Sequence, residues 1–159
     1  MDTYRIPRRE VPVRLLLDDG RTLEGTVFTL ETGPNGGPQD VLALLNEAGD
    51  EFLPFACGRD WFLLNKAGII WAQLDGATAQ ESAAEVLAAH HVLARFSLAG
   101  GLNVVGTLAI VMPPERSRVL DYMNAAGRFV PLFGTDTVTI VQRRFVVSVR
   151  SGEGAEKPS

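Results

Sequence analysis

The feature that most constrains the fold of this chain is an internal repeat. Val13–Leu30 (VRLLLDDGRTLEGTVFTL) aligns with Ala94–Val111 (ARFSLAGGLNVVGTLAIV) at a shift of 81, setting Arg14 on Arg95, Leu17 on Leu98, Gly20 on Gly101, Gly25 on Gly106 and Thr26 on Thr107. Val41, Leu42, Asn46, Ala48 and Gly49 recur as Val119, Leu120, Asn124, Ala126 and Gly127 at a shift of 78. With Glu51 as an insertion, Phe52 and Pro54 fall on Phe129 and Pro131 at a shift of 77. The same shift carries Leu63–Lys66 onto Ile140–Arg143 and Ile69-Ile70 onto Val146-Val147. The gaps sit in Gly- and Pro-rich segments, where insertions cost little. Order, spacing and residue class persist together, the signature of a tandem duplication.

Within the first unit, VPVRLLLD, then Asp19-Gly20, then RTLEGTVFTL predicts a β-hairpin, because Asp-Gly between apolar runs supplies the positive φ of a tight turn. Gly100-Gly101 is the equivalent turn in the second unit. A Gly/Pro-rich loop follows in each, and then VLALLN or VLDYMN places apolar residues on one face of a helix about two turns long. Asp40 and Ser117 are positioned to cap these helices, and Gly49 and Gly127 to end them. FLPF and FVPL read as short strands whose proline suits an edge, and WFLLN with AGIIWAQL, or TVTIVQ with RFVVSVR, closes each unit with two more strands.

The expected fold class is therefore mainly β with short helices: two tandem β-β-α-β-β-β small-barrel units packed on each other with pseudo-twofold symmetry. Short twisted strands bury their apolar faces by curling into small barrels, and cores this small gain by packing together. The organisation expected is a basic arm over 1–10, small-barrel units over 11–74 and 92–150, an alanine-rich helical linker over 75–91, and a disordered tail over 151–159.

Composition narrows the function classes. The 46% hydrophobic content is that of a globular chain, and the single cysteine, Cys57, leaves no intrachain disulfide. No apolar run approaches the roughly 20 residues needed to cross a bilayer, and MDTYRIPRRE has no apolar segment of a secretory signal behind it. A cytoplasmic location without membrane contact is expected. A net charge of −4 argues against nucleic acid as the main partner.

Catalytic sets are absent from the sequence: no GxSxG, HExxH, Walker or dinucleotide-binding pattern stands in usable context. His90 and His91 are adjacent at the end of the expected linker helix, so their side chains diverge and read as cations at a helix C-terminus rather than metal ligands. Cys57 reads as a small, semi-buried thiol. Asp121 reads as an acid complementing the first helical turn, and Asn46 and Asn124 as side chains closing the turns after the helices. No catalytic residue, metal site or cofactor is expected.

Two basic features remain as candidate ligand- or partner-binding sites. Arg5, Arg8 and Arg9 form a positive arm ahead of the first strand. Asn65 and Lys66 lie at a strand corner in the first unit, matched by Gln142, Arg143 and Arg144 in the second. Trp61, Phe62, Trp71, Phe129, Phe133 and Phe145 are numerous for such small units, and their surplus is expected to cover the inter-repeat contact or an edge for another subunit. Open strand edges would also allow β-augmentation.

The first hairpin, VPVRLLLDDGRTLEGTVFTL, resembles the opening of Sm-like and SH3-like small barrels, and FLLNKAGII is similar to the second Sm motif. That resemblance implies ring assembly and RNA contact at the polar corner. Whole units are similar to a bacterial small-barrel domain patterned on Gly106, Pro113-Pro114, Arg116, Asp121, Asn124, Phe129, Pro131 and Leu132 in the second unit. Gly25, Asn46, Phe52, Pro54, Asn65, Lys66 and Ile69 carry the pattern in the first; the domain implies no particular chemistry. YRIPRREVPVRLLLDDGRTLEGTVFTLE is similar to the start of PilZ domains, which implies cyclic di-GMP binding through Arg5 and Arg9, although Glu31-Thr32-Gly33-Pro34-Asn35 stands where their second motif falls. The expectation is a non-enzymatic interaction or regulatory module that binds a protein partner and is open to homo-oligomerisation. A PilZ-like nucleotide sensor and an Sm-like RNA-binding protein are the alternatives.

Overall fold

The computed structural model describes residues 8–32, 39–75, 90–111 and 118–152. In β1 (Arg8–Leu17), Val11, Val13, Leu15 and Leu17 alternate inward while Glu10, Pro12 and Arg14 face solvent, the period of a half-buried strand. The chain reverses at Asp18–Arg21, where Gly20 has φ 90° and its N–H donates to the Leu17 carbonyl at 3.0 Å. β2 (Thr22–Leu30) then pairs back along β1 from Leu16↔Thr22 to Arg8↔Leu30.

α1 (Val41–Asn46) starts as its sequence predicts: Asp40 accepts a hydrogen bond from the Ala43 N–H at 2.7 Å. β3 (Phe52–Cys57) and β4 (Asp60–Asn65) form a hairpin, and a 3-10 turn over Lys66–Gly68 leads into β5 (Ile69–Asp75). The second unit repeats this order with β6 (His90–Leu98), β7 (Asn103–Ile110), α2 (Val119–Ala125), β8 (Phe129–Phe133), β9 (Thr137–Gln142), a 3-10 turn over Arg143–Phe145, and β10 (Val146–Ser151).

The ladders repeat with the shifts read from the sequence. Leu16↔Trp71 and Leu17↔Ile69 between β1 and β5 become Ser97↔Ser148 and Leu98↔Val146 between β6 and β10, register break included. Pro54↔Leu63 becomes Pro131↔Ile140. Thr26↔Ala56 and Thr107↔Phe133 are the matching points at which β2 meets β3 and β7 meets β8. Gly25 lies beside the first of these: a Cβ there would sit 2.2 Å from the Ala56 carbonyl oxygen and 2.6 Å from the Phe55 ring. Beyond that contact the strands part, so Pro54 and Pro131 occupy stretches paired on one side only, where a missing N–H costs nothing.

The ten strands of the described residues lie in one sheet, in the order β10-β6-β7-β8-β9-β5-β1-β2-β3-β4. The chain is thus mainly β, as expected, but the sheet is not closed into a barrel. Its joint is β5 against β9, running from Trp71↔Val141 to Asp75↔Thr137. A twofold relation would pair β10 with β4 as β5 pairs β9, whereas β10 and β4 are the two ends of the sheet. The joint therefore unites unlike strands head to tail, and the expected pseudo-twofold packing is replaced by this arrangement.

Each core crosses the joint. Phe129, Val138 and Ile140 from the second unit are buried with Val13, Leu15, Leu45 and Phe55 of the first. Ile70, with Leu16 and Trp71 packed alongside, belongs to the cluster of Phe96, Leu108, Ile110 and Leu132. Asn46, expected to close its own turn, instead reaches across the joint, donating to the Phe129 carbonyl at 3.1 Å and accepting from its N–H at 2.7 Å.

Other local expectations change too. His90 and His91 stand at the start of β6, opposite Ile110 and Ala109, because β7 is long enough to extend the ladder to them. Asp75, also assigned to the linker, ends β5; the remainder of the linker, 76–89, lies outside the described residues. Gly49 bends the chain at φ 103° after α1 has ended, while Gly127 is small because the Asn46 amide packs 3.1 Å from where a Cβ would be. Ser117, Arg5, Pro113-Pro114, Arg116 and the tail from residue 153 lie outside the described residues.

Candidate functional site

The polar corners turn inward. Asn65 caps the 3-10 turn, its Oδ1 accepting from the Ala67 N–H at 2.9 Å. Lys66 is only 1% exposed, and its Nζ donates to the Glu47 carbonyl at 3.2 Å, just past the end of α1. Arg143 does the same in the second unit, donating from Nη1 to the Met123 carbonyl at 2.8 Å. A cation at a helix C-terminus satisfies orphan carbonyls and complements the dipole, so both side chains tie a turn to a helix. Arg144 lies over the Phe145 ring at 4.8 Å.

Gln142 makes the corners unequal. It is fully buried, and its Nε2 donates to the Lys66 carbonyl at 3.0 Å and the Ile69 carbonyl at 2.8 Å, sealing the first unit's corner with a residue of the second. Arg128 bridges the same seam, with guanidinium nitrogens 2.9 and 3.2 Å from the Glu51 carboxylate. That contact holds the Glu51 carboxyl below its ordinary value, with weaker attraction from Lys66 adding to it. Burial pushes the Tyr122 hydroxyl up.

Of the candidate basic residues, Arg8 and Lys66 border one groove, and Arg143 and Arg144 line a separate hollow with Arg128 and Gln142. Arg8 and Arg9 belong to β1 itself, opposite Leu30 and Thr29, and not to an arm ahead of it.

The groove at Arg8 is the larger of the two, about 670 Å³, and mostly apolar, with Arg8, Gln39, Glu47, Asp50 and Lys66 as its polar lining. Phe28 and Leu30 of β2, Leu44 of α1, and Phe52, Trp61 and Leu63 of β3 and β4 line it. Gln39 props the wall: its side-chain oxygen accepts from the Leu30 N–H at 3.1 Å and its own N–H donates to the Leu30 carbonyl at 3.0 Å. On the outer face of the β3–β4 hairpin, Phe52, Trp61 and Leu63 are 56%, 62% and 58% exposed. Side chains of this size gathered on one face of an edge hairpin are uncommon on a surface facing only water.

In the sequence Trp61 stands out among the surplus aromatics, while Phe52 and Leu63 are legible only as repeat and pattern positions, since alternation alone does not say which face of a strand is covered. The signal available was their alignment with Phe129 and Ile140. Cys57 is half-buried, its Sγ 3.4 Å from the Glu24 carbonyl. Among the described residues no group of His, Cys, Asp and Glu is arranged to hold a metal ion, and no helix is long and apolar enough to cross a membrane. The chain matches no family model, no curated protein and no solved structure.

Proposed function

We propose that this chain is a non-enzymatic interaction or regulatory module of the cytoplasm that works through protein–protein contacts at the outer β3–β4 face. One observation carries the reading: Phe52, Trp61 and Leu63 stand exposed together on a hairpin whose outer strand, β4, is a free end of the sheet. An edge strand offers unpaired N–H and C=O groups, and the apolar groove beside it offers pockets for alternate side chains. Lys66 and Gln39 at the groove are already engaged, with Glu47 and Leu30, so its apolar wall carries most of the recognition, with the charged Arg8 and Asp50 at its border.

RNA binding at the corners has less support, since Lys66 is buried and Arg143 is spent on the Met123 carbonyl; cyclic di-GMP sensing through Arg5 and Arg9 is the other reading, with only Arg9 of that pair among the described residues. The test is capture on immobilised wild-type chain beside Trp61→Asp. A protein, its own copy included, retained by the wild type and lost by the variant supports the reading. Capture of nothing, or capture indifferent to the substitution, overturns it. Calorimetry with cyclic di-GMP should give no heat of binding.

A further inference from the structure

We propose that the partner at this face is a second copy of the same chain, whose β10 and α2 dock head to tail on β4 and β3. This deepens the interaction-module reading and rests on it. The joint already made inside the chain carries the argument. There β5 pairs β9. By the repeat, β9 is the counterpart of β4 and β5 is the counterpart of β10, yet β4 and β10 are the unpaired ends of the sheet. The chain carries both halves of its internal joint a second time, each left open.

Burial follows the same logic. Phe129, Val138 and Ile140 are 1%, 5% and 1% exposed because the first unit covers them; their counterparts are the exposed Phe52, Trp61 and Leu63. On the other half of the joint Ile70 is 7% exposed, whereas its counterpart Val147 is 73% exposed. Leu42 packs against the core, while its counterpart Leu120 is 62% exposed. Asn46 grips the backbone of Phe129 against Gly127. Its counterpart Asn124 makes no such bond among the described residues, and Gly49, the counterpart of Gly127, has open space around it. Asn124 of one copy is therefore the residue to grip Phe52 of the next.

The shifts also forecast the register: Ser148 opposite Leu64, Val149 opposite Leu63, Arg150 opposite Phe62 and Ser151 opposite Trp61. Size is complementary there, with the large Trp61 facing a serine where the internal joint sets Val138 against Leu74. Arg150 falls diagonal to Asp60, a favourable cross-strand charge pair. Because unlike strands meet, each copy added presents one open β4 and one open β10, so assembly extends past a dimer.

Light scattering on the full chain tests this. The wild type should give multiples of 17.2 kDa that grow with concentration. Leu63→Lys on β4 and Val147→Asp on β10, both at exposed positions, should each run as monomers with unchanged circular dichroism, yet combine when mixed into a one-to-one dimer, since each retains the edge the other has lost. Asn124→Ala should weaken wild-type association about tenfold. A monomeric wild type, a mixture that does not combine, or association lost in only one of the two edge variants overturns the head-to-tail joint. If the wild type stays monomeric but still captures a different protein through Trp61, this inference falls while the interaction reading stands.

Discussion

The Asn46 side chain holds both backbone groups of Phe129, accepting from its N–H at 2.7 Å and donating to its carbonyl at 3.1 Å. Residues 83 positions apart are thereby fixed across the joint between the repeats. A buried backbone pair deprived of its partner bears the desolvation cost of both groups. Asn46→Ala should lower unfolding stability by about 2 kcal/mol. Asn124→Ala, at the matching exposed position, should stay within about 0.5 kcal/mol of wild type at dilute concentration. Urea titration of both variants checks the contrast; equal losses would contradict it.

Identical residues in the two repeats should differ in the same way. Phe129 is fully buried between the cores and Phe52 is more than half exposed. Phe129→Ala should cost about 3–4 kcal/mol through lost burial and a cavity, and Phe52→Ala under about 1 kcal/mol. Thermal melts of the pair measure it.

Glycine at the strand crossing is a steric requirement. With a Cβ on Gly25 only 2.2 Å from the Ala56 oxygen, Gly25→Ala forces β2 and β3 apart and should cost about 3 kcal/mol or more. Gly106→Ala meets the Leu132 Cβ at 3.0 Å and the Phe133 carbonyl oxygen at 3.2 Å, a tight but less severe approach, and should cost about 1–2 kcal/mol. The ranking, read by urea midpoint, is the outcome that matters.

Lys66 should behave as a core residue. Lys66→Ala removes a buried stem and leaves the Glu47 carbonyl without its donor, which should cost about 2–3 kcal/mol. A lysine serving a solvent-facing anion site would change stability by under about 0.5 kcal/mol and would weaken polyanion binding instead. Equilibrium unfolding beside a polyanion titration separates the two.

Acid should loosen the seam at Arg128 and Glu51. The Glu51 carboxyl is held below its ordinary 4.5 in the folded chain, so the pair's stabilisation is fully present above that value and is lost as pH falls through the lowered folded one. The melting-temperature gap between wild type and Glu51→Gln should therefore be largest near neutral pH and close below pH 4.5. The residue is exposed, so added salt should also narrow the gap. A gap that widens on acidification would refute the assignment.

Much of this architecture is local and so legible in the sequence. Asp19-Gly20 makes a turn because few residues adopt that backbone, Asp40 caps α1 because its oxygen reaches the Ala43 N–H, and the shifts of 81 and 77 reappear in the ladder registers. Period-two alternation also marks which side chains share a strand face. It does not say what lies over that face. Phe52 and Phe129 are each followed by an aliphatic residue and a proline and hold the same place in their hairpins, yet one is bare and the other buried. Lys66 and Asn46 likewise read as corner and turn residues until the packing aims one at Glu47 and the other at Phe129. The repeat by itself determined two units of matching strands and the faces each must cover. Only the tertiary structure decided that β5 joins β9, because that choice depends on which apolar surfaces meet in space, and it leaves β4 and β10 as the ends of the sheet.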